Sequence, residues 1–222
     1  EITGADFVIA VMSGNFVQRG EPAIIDKWSR AHCALLSGAD MVIELPVYYS
    51  AATAELFAKA AVKILSDSGI VDYLCFGSET GDISPLKEIA EAGLNSNEDF
   101  RSALKSSSSK GLSFAAARSE ALSEVYGIDP EIIKHPNNIL GIEYLKALKD
   151  LKSNISPITI KREKTAYNSD EINENFASAS AIRKLILNNQ LSAVSELMPN
   201  SAFEILKKAL NEKCGIMEAN AF

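Results

Sequence analysis

The apolar residues at the start of the chain fall into short, dense runs. Asp6–Met12 (DFVIAVM) carries Phe, Val and Ile without polar alternation and is too short for a typical helix. It reads as a strand buried on both faces. Ser13-Gly14-Asn15 breaks it, and a loop continues through Gln18, Arg19, Gly20 and Glu21 to Pro22. Residues 24–36 then read as a helix, ending at Gly38. Asp40–Leu45 (DMVIEL) is a second buried strand, closed by Pro46. Thr53–Leu65 is an Ala-rich helix with Gly69 beyond it, and Asp72–Phe76 (DYLCF) is a third strand with Gly77 next. Regular strand–helix alternation predicts an α/β chain with a parallel sheet and right-handed crossovers. Ligands of such sheets lie at the carboxyl ends of the strands, which singles out residues 13–21, 44–50 and 77–82.

The middle of the chain changes period. Leu86–Ala92 and Glu98–Lys105 carry helical patterns, and the serine run 106–109 reads as a connection. Phe114, Ala117, Arg118, Ala121, Leu122 and Val125 share one helix face, stopped by Gly127. Pro136-Asn137-Asn138 opens another helix with Ile139, Ile142, Leu145 and Leu148 inward. Ile155–Lys161 returns to strand character. Ser178–Leu187 and Phe203–Leu210 are the last helices. Residues 1–4 (EITG) read as the end of a helix that stops at Gly4, so a strand and helix are expected upstream. Trp28 is placed as partly buried, and Tyr48 and Tyr49 as packing residues.

Composition narrows the class. The chain has 222 residues, 47% hydrophobic and 23% charged, which excludes a disordered or collagen-like polymer. No run approaches the roughly eighteen apolar residues of a membrane span. With 22 basic and 29 acidic residues the net charge is −7, so bulk charge gives no sign of general nucleic-acid binding, and no DNA partner is expected. Cys33, Cys75 and Cys214 are too few and too scattered for a disulfide framework, which favours a cytoplasmic setting. His32 and His135 are the only histidines, so neither a zinc site nor a Ser/His/Asp triad is expected.

Five segments carry candidate chemistry, each beside a plainer reading. In MSGNFVQRGEP, residues 12–22, glycines permit close approach and Arg19 offers a fork for phosphate or carboxylate; it is otherwise an ordinary loop. In Phe76-Gly77-Ser78-Glu79, Gly77 leaves backbone open to a base or ribose, which Ser78 and Glu79 would hydrogen-bond; otherwise this is a turn in which Asp82 or Ser84 caps the next helix. Asn137 and Asn138 suit adenine edges or phosphates, and equally suit capping. Lys161-Arg162, with Lys152 and Lys164 nearby, suits a triphosphate or is a solvated edge. Ser178, Ser180 and Arg183 at a helix start suit an anion, against a capped helix with a surface Arg.

Taken together, AVMSGNFVQRGEPAIIDKWSR, GADMVIELP, FGSETGDI, PNNILGIEYLKAL and ASASAIRK resemble the bacterial tRNA(Met) cytidine acetate ligases, from about Thr3 to Arg183. The resemblance implies a Rossmann-like nucleotidyltransferase fold with a helical C-terminal segment. Residues 1–188 would be that domain, with a helical insertion about 84–135, and residues 189–222 the start of a C-terminal helical region. It implies ATP-dependent formation of acetyl-adenylate, with Mg2+, and acetyl transfer to N4 of the wobble cytidine of elongator tRNA(Met). ATP contacts would include Gly77, Asn138, Arg162 and Arg183. Arg19, Lys27 and Arg30 are candidates for tRNA or acetate. The family's HxGH motif, within NPFHNGH, is expected upstream of Glu1, with a further region past Phe222; without that motif adenylation is expected to be lost. No catalytic residue is therefore assigned. Two other readings remain: nucleotidyl transfer to a small phosphorylated acceptor, and a non-catalytic RNA-binding module.

Overall fold

The computed structural model describes residues 2–94, 98–112, 114–162 and 178–212, apart from the side chains of Arg19, Leu94, Phe114, Ala115 and Arg118. The chain divides into two compact units, residues 1–53 with 164–222, and residues 54–163.

In the first unit, β1 (Ile9–Ser13) and β2 (Met41–Leu45) pair in parallel, with Ile9 opposite Met41 and Ser13 opposite Leu45. Between them lie a 3-10 turn at Gln18–Gly20 and helix α1 (Lys27–Leu36). This helix begins three residues later than its apolar pattern suggests. Asp26 caps it, its carboxylate accepting from Trp28 N, Ser29 N and Ser29 Oγ. The hydroxyl, foremost, holds this carboxyl below its usual range. Ile24 and Ile25 are thereby released from the helix, and Ile25 is buried in an apolar cluster with Ile186, Val194 and Leu206. Helix α2 (Val47–Ser50) follows β2. The unit is completed by α8 (Ala179–Leu187), α9 (Leu191–Val194) and α10 (Asn200–Asn211). Residues on both sides of position 188 thus share one core.

In the second unit the order is α3 (Ala54–Ser68), β3 (Tyr73–Ser78), α4 (Ser84–Leu94), α5 (Glu98–Ser109), α6 (Phe114–Tyr126), α7 (Pro136–Asp150) and β4 (Ser156–Lys161). A 3-10 turn at Ile132–Lys134 precedes α7. β3 and β4 are parallel, Tyr73 opposite Ser156 and Ser78 opposite Lys161. Both strand pairs are parallel, as the sequence implies, and the partner of β3 among the described residues is β4, eighty-odd residues later. The reason lies in α7, which packs on α3, α4 and β3 and delivers the strand that follows it to the side of β3. Gly141 makes that packing possible, since a Cβ there would stand 2.6 Å from Cε2 of the Phe76 ring. Phe76, Leu86, Ile89, Phe100, Leu122, Ile142 and Leu145 form the core.

Three expectations are corrected. The serine run 106–109 is the last turn of α5, with Ser107 buried, because the apolar face of Phe100 and Ala103 carries the helix past its polar end. Trp28 is 74% exposed and Tyr48 75%. The cap at Asp26 puts Trp28 in an exposed first turn of α1, and Tyr48 meets Tyr49 edge-on, with ring centroids 5.2 Å apart, rather than entering a core.

Replacing Gly141 by Val drives a branched side chain into the Phe76 ring. The expected cost is about 2 kcal/mol of unfolding free energy, read as a lowered urea midpoint.

Candidate functional site

The second unit gathers its chemistry where β3 and β4 end. Thr159 Oγ1 lies 3.1 Å from Phe76 O and 2.7 Å from Ser78 Oγ, and Gly81 N donates to Ser78 Oγ at 3.0 Å. Ser78 is fully buried. Thr159 braces the ladder from within, and the Ser78 hydroxyl carries hydrogen bonding past the last rung to the turn at residues 78–81.

The turn then meets the start of α7 in a reciprocal exchange. Glu79 N and Thr80 N donate to Asn138 Oδ1 at 2.9 and 3.3 Å. In return the Glu79 carboxylate accepts from Asn138 N at 2.8 Å, Asn137 N at 3.3 Å and Asn137 Nδ2 at 2.6 Å. A helix start leaves backbone N–H groups unpaired and favours negative charge; Glu79 supplies both partners. His135, at the N-cap position, makes no side-chain cap.

Arg162 stands beside this exchange. Its backbone N donates to Ser78 O at 2.8 Å, extending the β3–β4 ladder by one residue. Its stem crosses Gly77 so closely that a Cβ there would lie 3.0 Å from Arg162 Cγ. Its Nη1 donates to Asn137 Oδ1 at 3.2 Å. Gly77 and Arg162 are both exposed, and among the described residues the guanidinium donates to Asn137 Oδ1.

Three expected ATP residues therefore converge here, in different roles. Gly77 and Arg162 present open backbone and open charge. Asn138 is 0% exposed, and its Nδ2 donates to Ile132 O at 2.9 Å. Its carboxamide is fully engaged inside the protein, and it caps the 79–80 turn rather than its own helix. Asp82 realises the plainer reading of its segment by accepting from Ser84 N.

The first unit builds a different loop. Lys27 N donates to Asn15 Oδ1 at 2.9 Å, Ala23 N to Asn15 O, and Ser50 Oγ to Phe16 O. Lys27 Nζ is paired with Glu44 at 2.6 Å and stands 5.2 Å from the Trp28 ring centroid. Arg30 Nη1 donates to the carbonyls of Ser13 and Gly14 at 2.9 and 2.5 Å. Among the described residues no carboxylate pairs with Arg30. Burial first, then the nearby charge of Arg183, pushes its guanidinium down from its usual range. Arg183 donates to Pro22 O at 3.1 Å and lies 3.9 Å from Glu21. Ser178 caps α8 through Ala181 N, as in the plainer reading. The Arg19 side chain, Lys164, Ala177 and Cys214 lie outside the described residues.

Parallel strands joined by helices place the chain among α/β proteins, whose ligands bind at the carboxyl ends of the strands. The family described as HIGH Nucleotidyl Transferase matches residues 1–222, and the chain belongs to it. It is 50% identical over 213 residues to the tRNA(Met) cytidine acetate ligase of Acetivibrio thermocellus, covering 93% of this chain and 51% of that protein. It is 49% identical over 217 residues to that of Caldanaerobacter subterraneus, covering 97% of this chain and 54% of that protein. A crystal structure of Thermotoga maritima TmcAL bound with alpha-thio ATP superposes with a TM-score of 0.85 at 39% identity, covering 96% of this chain and 51% of the other. The apo form gives a TM-score of 0.90 at the same identity, covering 96% and 52%. The chain spans about half the length of these relatives.

Sequence reasoning missed Glu79 as the residue that caps α7. Its partners lie 58 and 59 residues away, and only the β3–α7 packing brings them together. Asn138→Ala leaves Glu79 N, Thr80 N and Ile132 O without partners. It is expected to cost about 3 kcal/mol of stability, measured by urea unfolding without nucleotide; a residue that only contacted ligand would leave that midpoint in place.

Proposed function

We propose that this chain supplies the nucleotide-binding part of an enzyme that activates acetate with ATP and acetylates N4 of the wobble cytidine of elongator tRNA(Met). The observation that carries the reading is the exposed Arg162 guanidinium, held over Gly77 at the carboxyl ends of β3 and β4. The names of the relatives and the ATP analogue bound to the Thermotoga protein supply the substrates.

In this reading the acetate carboxylate attacks the α-phosphorus and pyrophosphate leaves. The cytidine amine then attacks the acetyl carbonyl and AMP leaves. Both partners of the first step are anionic, so the site must neutralise charge and hold the reactants in line. Arg162 does this at the β3–β4 edge, while Gly77 leaves the backbone open for the base or ribose. Glu79 keeps anionic phosphate away from the α7 start, which favours the uncharged part of the nucleotide there. Asn138 serves ATP indirectly, by shaping the turn. Arg183 stays a candidate phosphate contact on its sequence alone. Arg30, whose charge no described carboxylate neutralises, is assigned to acetate or to RNA phosphate ahead of Lys27, which Glu44 neutralises. Arg19 stays a candidate on its sequence alone.

Mg2+ has no fitted protein site among the described residues. No group of three or more His, Cys, Asp or Glu converges there, and both Glu79 oxygens are engaged with α7. A magnesium ion would arrive on the triphosphate. A cytoplasmic setting follows from the RNA substrate. No helix among the described residues is long and apolar enough to cross a membrane.

The test uses the intact protein with ATP, labelled acetate and elongator tRNA(Met). Acetate-dependent AMP release and label on the RNA are expected. AMP transfer to a small phosphorylated acceptor, or RNA binding without ATP turnover, would replace this reading. Arg162→Ala is expected to weaken ATP binding about tenfold or more, the size of one lost charge-assisted contact, with little change in the unfolding midpoint.

A further inference from the structure

We propose that Glu79 is a positioning residue for Arg162, acting through the Asn137 carboxamide. The inference rests on the ATP reading of the site and names a residue which that reading does not use as a contact.

An Asn side chain can be turned either way, its oxygen and NH2 exchanging places. Here the environment leaves one choice. Asn137 Nδ2 faces the Glu79 carboxylate at 2.6 Å, so Oδ1 faces the Arg162 guanidinium at 3.2 Å. The flipped amide would set oxygen against carboxylate and NH2 against guanidinium, and both contacts would be repulsive. The carboxylate therefore fixes the amide, and the amide presents an acceptor to the arginine.

The rest of Arg162 is fixed independently. Its backbone is tied to Ser78 O and its stem lies against Gly77. Only the guanidinium is left to orient, and among the described residues Asn137 Oδ1 is the side-chain acceptor that does it. Glu79 is itself held at both ends, its N–H on Asn138 Oδ1 and its carboxylate on the α7 start. A Gln at position 79 would offer one oxygen in place of two and add an NH2 that faces other donors. Asn137 would lose its preference, and Arg162 with it.

The experiment is a double-mutant cycle on ATP affinity, measured by calorimetry on the intact protein. Glu79→Gln is expected to weaken ATP binding roughly tenfold in the wild-type background, within the range for directly networked residues. In the Arg162→Ala background the same change is expected to alter affinity less than twofold. Its effect on the urea midpoint should be the same in both backgrounds, because capping of α7 does not involve Arg162. An equal affinity loss in both backgrounds overturns the inference, and so does no loss in either. If Glu79→Gln does not fold, Asn137→Ala makes the same test, since it removes the relay and leaves Glu79 on Asn138 N. A wild-type protein that does not bind ATP defeats the functional reading itself. A wild type that binds, with variants that do not couple, defeats only the role of Glu79.

Discussion

Two sets of unpaired backbone groups meet at one place in the second unit. The β3–β4 ladder runs out at Ser78, and α7 begins at Pro136 with N–H groups that no helical carbonyl can reach. Each end supplies the partners the other lacks. Asn138 from the helix takes the N–H groups of the turn, and Glu79 from the turn takes those of the helix. The exchange holds α7 against the strand end, Gly141 lets Phe76 close the packing behind it, and β4 is carried to the side of β3. Arg162 and Gly77 owe their placement to that strand pairing. The exposed chemistry at this edge thus depends on an interaction that is itself almost wholly internal.

The loop of the first unit answers the same need with different groups. Asn15 and Asp26 take the N–H groups at the start of α1, and the positive charge of Arg30 takes the carbonyls at the end of β1. A guanidinium on carbonyl oxygens satisfies hydrogen bonds without cancelling charge. The two edges therefore differ in character. One has a carboxylate at its centre and an arginine held at its rim; the other has an arginine held from inside and a lysine neutralised by Glu44.

The strands were legible because short apolar runs of Val, Ile and Leu between glycine and proline have few other uses. DFVIAVM, DMVIEL and DYLCF all fall on observed strands within a few residues, as does the run from Ile155. Less legible was whatever depends on partners far along the chain. The pairing of β3 with β4 needs α7, and the burial of Asn138 needs Glu79. A pair of asparagines at a helix start reads alike whether it caps, contacts a ligand or, as here, divides the work: Asn138 inward, Asn137 toward Arg162. The side chain of Asp26 moved the start of α1 and exposed Trp28, an effect a periodic pattern does not register. At the family level, FGSETGDI and PNNILGIEYLKAL carried part of the resemblance, but neither segment alone reveals that Glu79 of the first meets Asn137 and Asn138 of the second.

The proposed nucleotide site is the carboxyl edge of β3 and β4, beside the Glu79–α7 exchange. Amide resonances of the intact protein, followed by NMR as ATP is added, test it most directly. The largest shifts are predicted at Gly77–Thr80, Asn137–Asn138 and Arg162, saturating together. Saturable binding that leaves those amides unmoved would contradict the account.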